Sequence, residues 1–518
     1  MKSSTRKEFG DFQTPLELAQ EVCARVREAH GDFESIIEPT CGQGAFVRAS
    51  AGAFPSASVS GFEINATYRD KAAQHVEEAG HSSRVTLIHQ DFFDADWQSV
   101  LSAQRGRLLL LGNPPWVTNA GVSALGGANV PVKKNFQGHR GIAARTGKAN
   151  FDISEWMLIH LLEASLGREL VVAMLCKTAT ARKVLRHAWL KGWPVDQATL
   201  HRIDAQEHFG ASVDACLFML RGGVHGPREA ALFDSLGSPK APVRFGLAGD
   251  ELVADLDAYE RLSHLEGTSP YRWRSGIKHD CAAVMELTQV SDTHYANGLG
   301  ETVMLESEVV FPLLKSTALY HGRVNPDRWI LLTQRRVGES TRTLASRAPN
   351  AWNYLQQHAD RFEARKSSIY RRGEAFALFG IGDYAFADWK VAVSGLHRPP
   401  RFQIIPPRSG CPVMFDDTCY FVSLGSREEA DTLASVLNSK PCLELLAALT
   451  LPEAKRPVTV ELLHRLDLRS IATEAGLLDD WLAHCEHTNG NEPQAALAQM
   501  EFLMEEPARY LEHEQTIK

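Results

Sequence analysis

Three carboxylates and a carboxamide each close an apolar run in the first 116 residues. Glu38 follows Ser35-Ile36-Ile37, Glu63 ends Val59-Ser60-Gly61-Phe62, Asp91 stands just past Leu87-Ile88-His89, and Asn113 follows four leucines and Gly112. The stretch after Glu38 is Pro39-Thr40-Cys41-Gly42-Gln43-Gly44, and glycines after a strand let the backbone turn tightly and approach a ligand closely. The loop is not G-x-G-x-x-G, no basic group lies near it, and Glu38 would repel a pyrophosphate, so a dinucleotide fits poorly. A cationic ligand with a free amine and a sulfonium fits better. Glu63, nineteen residues beyond Gly44, is placed to accept both hydroxyls of a ribose. Asp91 can hold an exocyclic adenine amine while the ring of Phe92 covers the base. Any one of these acids alone reads equally well as a helix cap or a surface residue, but three at successive strand ends on one sheet edge do not. Asn113-Pro114-Pro115-Trp116 sets an amide acceptor beside a rigid turn and a large flat ring.

The elements that must carry these residues follow from the hydrophobic pattern. Thr14 and Pro15 read as a cap and a first helical residue, opening an amphipathic helix to His30. Short apolar runs at 35–38, 59–63, 84–89, 107–112, 170–175, 199–204 and 212–220 alternate with helical stretches such as 65–79 and 151–167. Strands alternating with helices imply an α/β fold, a Rossmann-like domain with a mostly parallel sheet, expected over residues 1–225. The Gly-, Pro- and Ser-rich stretch 221–242 suggests that 226–270 is a linker region. Beyond it, short β-like runs and a few helices indicate a C-terminal α+β domain over 271–470, followed by an acidic helical tail over 471–518.

Composition bounds the setting. The nine cysteines form no C-x-x-C pair, which argues against a zinc knuckle or disulfide framework and for a reducing cytoplasm. No apolar run approaches the ~20 residues of a membrane span, and the N-terminus lacks a signal-peptide core. Net charge is −8, yet residues 311–410 hold 16 Lys and Arg against 7 Asp and Glu. A basic segment on an acidic chain is the electrostatic footprint of a phosphate-binding face, although charge runs are often only solvating. His279, Asp280 and Cys281 lack a partner pair for a metal site, so no metal is expected.

Glu38-Pro39-x-x-Gly42-x-Gly44, Glu63, Asp91 and Asn113-Pro114-Pro115-Trp116, in that order, resemble the motifs of S-adenosylmethionine-dependent amino-methyltransferases. The likeness is greatest to the γ-class N6-adenine DNA methyltransferases of restriction-modification systems. "GDFQTP" (10–15), with Thr14, resembles the segment that in this family folds over the methionine end of the cofactor. The resemblance covers residues 9 to 220 at motif level and, less specifically, the region to about 470, so that 271–470 resembles the family's DNA target-recognition domain; it implies that Thr14, Glu38, Pro39, Cys41, Gly42, Gly44, Glu63, Asp91, Phe92 and Asn113 bind S-adenosyl-L-methionine. It makes Asn113, Pro114, Pro115, Trp116 and Phe209 catalytic. An adenine N6 amine is a poor nucleophile because its lone pair is delocalised. Acceptance of both amine hydrogens, by the Asn113 side-chain oxygen and the Pro114 carbonyl, would free that pair. Trp116 would stack on a base taken out of the duplex, with Phe209 against it. The family more often has Tyr or Phe at position 116.

The acceptor implied is double-stranded DNA. Lys133, Lys134, Arg140, Arg145 and Lys148, an acid-free run next to the motif, and Arg371 and Arg372 in the second domain are the expected DNA contacts. An RNA adenine methyltransferase and a non-catalytic DNA-binding subunit that retains the fold are the alternatives. The large second domain argues against the first, and the intact motif residues argue against the second. With the catalytic motifs beginning near residue 9, any restriction endonuclease is expected on a separate chain.

Overall fold

The computed structural model describes residues 12–117, 152–371 and 373–485. It comprises two compact units, the first ending at Asp257 and the second beginning at Ala258.

The first unit is built on a ten-stranded sheet of order β10-β9-β8-β6-β7-β5-β4-β1-β2-β3. Its strands are β1 (Ser35–Glu38), β2 (Ser58–Glu63), β3 (Val85–His89), β4 (Leu108–Gly112), β5 (Leu170–Lys177), β6 (Val195–Ile203), β7 (Ala215–Gly222), β8 (Glu229–Phe233), β9 (Val243–Ala248) and β10 (Glu251–Val253). Strands β1 to β5 run parallel to one another, β7 is antiparallel to β5 and β6, and β8 is parallel to β6. The helices are α1 (Leu16–His30), α2 (Ala45–Ala53), α3 (Ala66–Glu78), α4 (Trp97–Ser102), α5 (Ile153–Ala164), α6 (Thr178–Leu190) and α7 (Ala205–Phe209).

The run of leucines in β4 shows why these strands lack hydrophobic alternation. Leu108 and Leu110 pack into the core on one face, Leu109 and Leu111 into the core on the other, and all four are buried. A parallel sheet covered by helices on both faces needs apolar residues at every position. Strand β1 lies between β2 and β4, so the chain winds outward from it in both directions. The crevice beyond the carboxyl ends at such a reversal is where open α/β sheets bind ligands.

Three expectations need amendment. Thr14 does not cap α1: Pro15 is the N-cap residue, without a side-chain capping bond, and the helix begins at Leu16. The stretch read as a linker over 226–270 instead supplies β8, β9 and β10, and places Ala230, Leu232 and Phe245 in the core. Its glycines and prolines mark turns between short strands and not an open connection. The segment from 471 is in part structural, because helices Leu468–Glu474 and Leu478–His484 bury Ile471, Ala472, Trp481 and Cys485 in the second unit. Residues 486–518 lie outside the described residues.

The second unit is α+β. A four-stranded antiparallel sheet of order β11-β20-β17-β18 uses Arg274–Ser275, Cys419–Leu424, Trp389–Ser394 and Gln403–Ile405. A six-stranded sheet is built, in spatial order, from β14 (Thr302–Met304), β13 (His294–Asn297), β12 (Glu286–Gln289), β16 (Arg328–Leu331), β15 (Val310–Leu314) and β19 (Met414–Phe415). Leu314, Leu319, Ala392, Phe415 and Phe421 form a small core shared by the strands of both. No helix among the described residues is long and apolar enough to cross a membrane.

Candidate active site at the carboxyl edge of the sheet

Glu38, Glu63, Asp91 and Asn113 all stand at or just beyond the carboxyl ends of β1, β2, β3 and β4, which are neighbours in the sheet. Glu38 is 3% exposed, and its Oε2 is buried with no hydrogen-bond partner among the described residues. Burial pushes its carboxyl well above the usual carboxylate range, the Val47 amide opposes the rise, and nearby Glu63 adds to it. A carboxyl held neutral by burial can ionise when a cation is placed against it.

The loop after Glu38 is glycine-dependent at two points. Gly42 has φ +52° and Gly44 φ +84°, and a Cβ on Gly44 would lie 2.7 Å from the Cβ of Ala72 on α3. The loop is held by its neighbours as well. The Gly42 N–H donates to Glu63 Oε2 at 2.8 Å and the Asn65 N–H to Oε1 at 2.7 Å, so one carboxylate joins the first loop to the start of α3. The Gln43 N–H donates to Gln13 Oε1 at 3.0 Å, which brings the residues before α1 over the loop. Cys41 is buried, and its N–H donates to the Phe62 carbonyl at 2.8 Å.

Asp91 accepts the Phe93 N–H at 2.9 Å and caps a short turn, Phe92–Asp94. The ring of Phe92 is not presented as an open face. It is 5% exposed and packs against Trp97 at 4.8 Å, while the half-buried Phe93 lies 5.3 Å from Trp156. Pro39, Phe92 and Pro114 nevertheless line one small cavity, together with Met157 and Leu161 of α5 and Met174 of β5.

Asn113 is the most informative side chain. Its Nδ2 donates to the Phe12 carbonyl at 3.2 Å and to Thr14 Oγ1 at 3.3 Å, whereas Oδ1 is buried and has no partner among the described residues. Two acceptors on the nitrogen side fix which way the amide faces, and an acceptor is left turned into the site. Thr14 thus reaches Asn113 from the segment before α1.

Trp116 is 5% exposed and donates Nε1–H to the Leu175 carbonyl at 3.2 Å. Phe209, at the end of α7, lies 5.2 Å from it at an interplanar angle of 75°, and Phe12 lies 5.8 Å from Trp116 and 5.9 Å from Phe209. Phe209 meets both other rings edge to face and Phe12 lies tilted at 45° to Trp116, so Trp116 is bracketed and not an open platform. Its indole N–H needs a partner when buried, and the β5 carbonyl supplies one. Lys177, at the end of β5, donates to the Trp116 carbonyl at 2.9 Å and pairs with Asp152 at 2.6 Å.

Sequence reasoning did not single out Phe12, Gln13, Asp152 or Lys177 as site residues. The signal for Lys177 was a lone cation closing the apolar run of β5, and for Asp152 a capping residue before Ile153. Lys133, Lys134, Arg140, Arg145, Lys148 and Arg372 lie outside the described residues, and Arg371 is exposed in the second unit.

The sheet order, the glycine loop at the switch point and the acids along one edge define a Rossmann-like methyltransferase fold. No family model matches the chain. It is 39% identical over 472 residues to the type II methyltransferase M.NspV of Nostoc sp., an alignment covering 90% of this chain and 98% of that protein. The chain belongs to the type II methyltransferases of restriction-modification systems. Among solved structures, the type IIL restriction-modification enzyme MmeI, determined in complex with DNA, superposes with a TM-score of 0.52 over 96% of this chain and 75% of that one, at 12% identity. A modification subunit of a putative type I restriction enzyme from Vibrio vulnificus YJ016 aligns over 43% of this chain and 46% of its own, with a TM-score of 0.31 and 13% identity. Membership in this family of methyltransferases makes S-adenosyl-L-methionine the cofactor.

Proposed function

We propose that the protein methylates the N6 amine of adenine at a specific site in duplex DNA, as the modification enzyme of a restriction-modification system whose endonuclease is a separate chain. It thereby acts in the cytoplasm, where that DNA lies. The reading is carried by the buried, unpartnered Oδ1 of Asn113, whose amide is oriented by Phe12 and Thr14.

The donor set suits the cofactor. The orphan oxygen of Glu38 would take its ammonium, the backbone at Gly42 and Gly44 would allow close approach, Glu63 would accept the ribose hydroxyls, and Asp91 the adenine amine. When bound, S-adenosyl-L-methionine supplies a methyl group activated by a sulfonium. Asn113 Oδ1 accepts one hydrogen of the target amine and the Pro114 carbonyl, whose direction Pro115 restrains, accepts the other. Both contacts strengthen as the nitrogen becomes tetrahedral, and that is where stabilisation lowers the barrier. Trp116 and Phe209 hold the extruded base, which requires these two rings, in direct contact here, and Phe12 beside them to move apart. The second unit selects the DNA site.

The test is transfer of labelled methyl from S-adenosyl-L-methionine to duplex DNA, followed by nucleoside analysis. Label in N6-methyladenine is expected. Label in a cytosine amine would overturn the base assignment, and label only in RNA or protein would overturn the acceptor.

A further inference from the structure

Lys177 joins three pieces of chain that meet beside Asn113. It is the last residue of β5, with a side chain 25% exposed, and its Nζ reaches the Trp116 carbonyl at 2.9 Å and Asp152 Oδ2 at 2.6 Å. Asp152, 8% exposed, is the N-cap of α5: its Oδ1 accepts the Ser154 N–H at 3.1 Å and also the Ser154 hydroxyl. The Ile153 N–H donates to the Val117 carbonyl at 2.8 Å. Residue 116 is therefore tied to β5 twice, by its indole to Leu175 and by its carbonyl to Lys177.

We infer that Lys177, backed by Asp152, is a positioning residue for methyl transfer: its ammonium holds the Asn113-Pro114-Pro115-Trp116 loop at the height at which Asn113 Oδ1 and the Pro114 carbonyl meet the target amine. The inference rests on the reading that this loop binds that amine. Three features favour it over a bridge that merely stabilises. The ammonium has three donors, and one of them is spent on a loop carbonyl three residues from Asn113. The loop contains two prolines, so a displacement at Trp116 is passed on toward Asn113 with little to absorb it. The carboxylate that backs the cation is itself held by a helix start, which leaves the ammonium little freedom to wander. A catalytic loop displaced by a fraction of an ångström loses rate while keeping its ligands.

Lys177→Met in the full-length protein is expected to lower the single-turnover methyl-transfer rate about 10- to 100-fold, the range for loss of a group that orients catalytic ligands. Calorimetric affinity for S-adenosyl-L-methionine and affinity for duplex DNA should stay within about threefold, because neither ligand is contacted. Lys177→Arg should recover part of the rate. Asp152→Asn should slow the reaction less, and in the Lys177→Met background should slow it no further, since the two residues act as one unit. A rate within threefold of the native protein in a folded Lys177→Met variant would overturn the inference, as would a rate loss matched by loss of cofactor affinity. If Lys177→Met does not fold, Lys177→Arg and Asp152→Asn decide: unchanged rates in both overturn it. A native protein that transfers methyl to no DNA amine would instead fail the proposed function.

Discussion

Asn113 offers a sharp test because only one end of its amide is already engaged. Asn113→Ala should cut methyl transfer about 100-fold or more, the loss typical of removing one preorganised hydrogen-bond group at a reacting centre, while cofactor affinity changes only a few-fold. Affinity lost in step with activity would assign the side chain to the cofactor. Glu38 behaves differently, since its folded-state pKa lies above the ordinary 4.5 mainly through burial. A carboxyl raised in this way contributes stability below its ordinary pKa and loses it as pH rises through the folded value. Glu38→Gln should therefore melt higher than the native protein, by more at pH 8 than at pH 5, and bind S-adenosyl-L-methionine at least about tenfold more weakly, for want of a charged partner. In the native protein the cofactor's ammonium favours the ionised carboxyl, so binding should release a proton and tighten with pH. Calorimetry in buffers of different ionisation enthalpy measures this, and a heat independent of buffer would contradict it.

Among elements, the loop between β1 and α2 is the least forgiving. Gly44 combines a left-handed φ of +84° with the close approach of Ala72, so Gly44→Ala meets both backbone strain and a side-chain overlap. The strain alone costs roughly 1–2 kcal/mol, and the overlap pushes α3 outward, loosening the carboxylate of Glu63 that joins loop and helix. Gly44→Ala should lower both the melting temperature and cofactor affinity. Adding Ala72→Gly should recover the part due to overlap and leave the part due to φ. Thermal unfolding of the single and double variants separates the two, and a double variant no more stable than the single would show that the overlap is absorbed elsewhere.

Taken as a whole, the molecule places its first boundary later than composition suggests. Strands β8 to β10 cover the edge of β6, Arg244 pairs with Glu229 and Asp257 across them, and Phe245 packs beneath Arg182. A fragment ending at 225 would expose that edge and lose Leu232 and Phe245 from the core, whereas one ending at 257 keeps both. The longer fragment should be soluble and unfold cooperatively, and the shorter should aggregate; light scattering and calorimetry compare them. Equal behaviour would make β8 to β10 an appendage. The arginine-rich second unit also spends part of its charge internally. Burial would raise the carboxyl of Glu286, but His279 and Lys315 bring it down to about 2, and Arg328 pairs with it at 3.3 Å. Arg336 pairs with Asp383, and Arg365 lies over Tyr370. Fewer cations are left for phosphates than the count over 311–410 suggests.

The chain's pattern alone determined the α/β class, the parallel strands and the four polar residues at their carboxyl ends, because these depend on periodicity and on chemistry placed where strands stop. An apolar run as short as Leu108–Leu111, stopped by Gly112 and the prolines after it, reads as a central strand, and a polar residue just after it lies at the carboxyl edge of the sheet. Tertiary structure decided what those residues face. Thr14, read as a helix cap, turns its hydroxyl to Asn113, a residue 99 positions away. Phe92 and Trp116 turn inward because Trp97 and the Leu175 carbonyl are there to receive them. The pairing of Lys177 with Asp152, across 25 residues, has no local signature. Local pattern reports which face of an element is buried, but the partner on that face is chosen by packing among segments far apart in the chain.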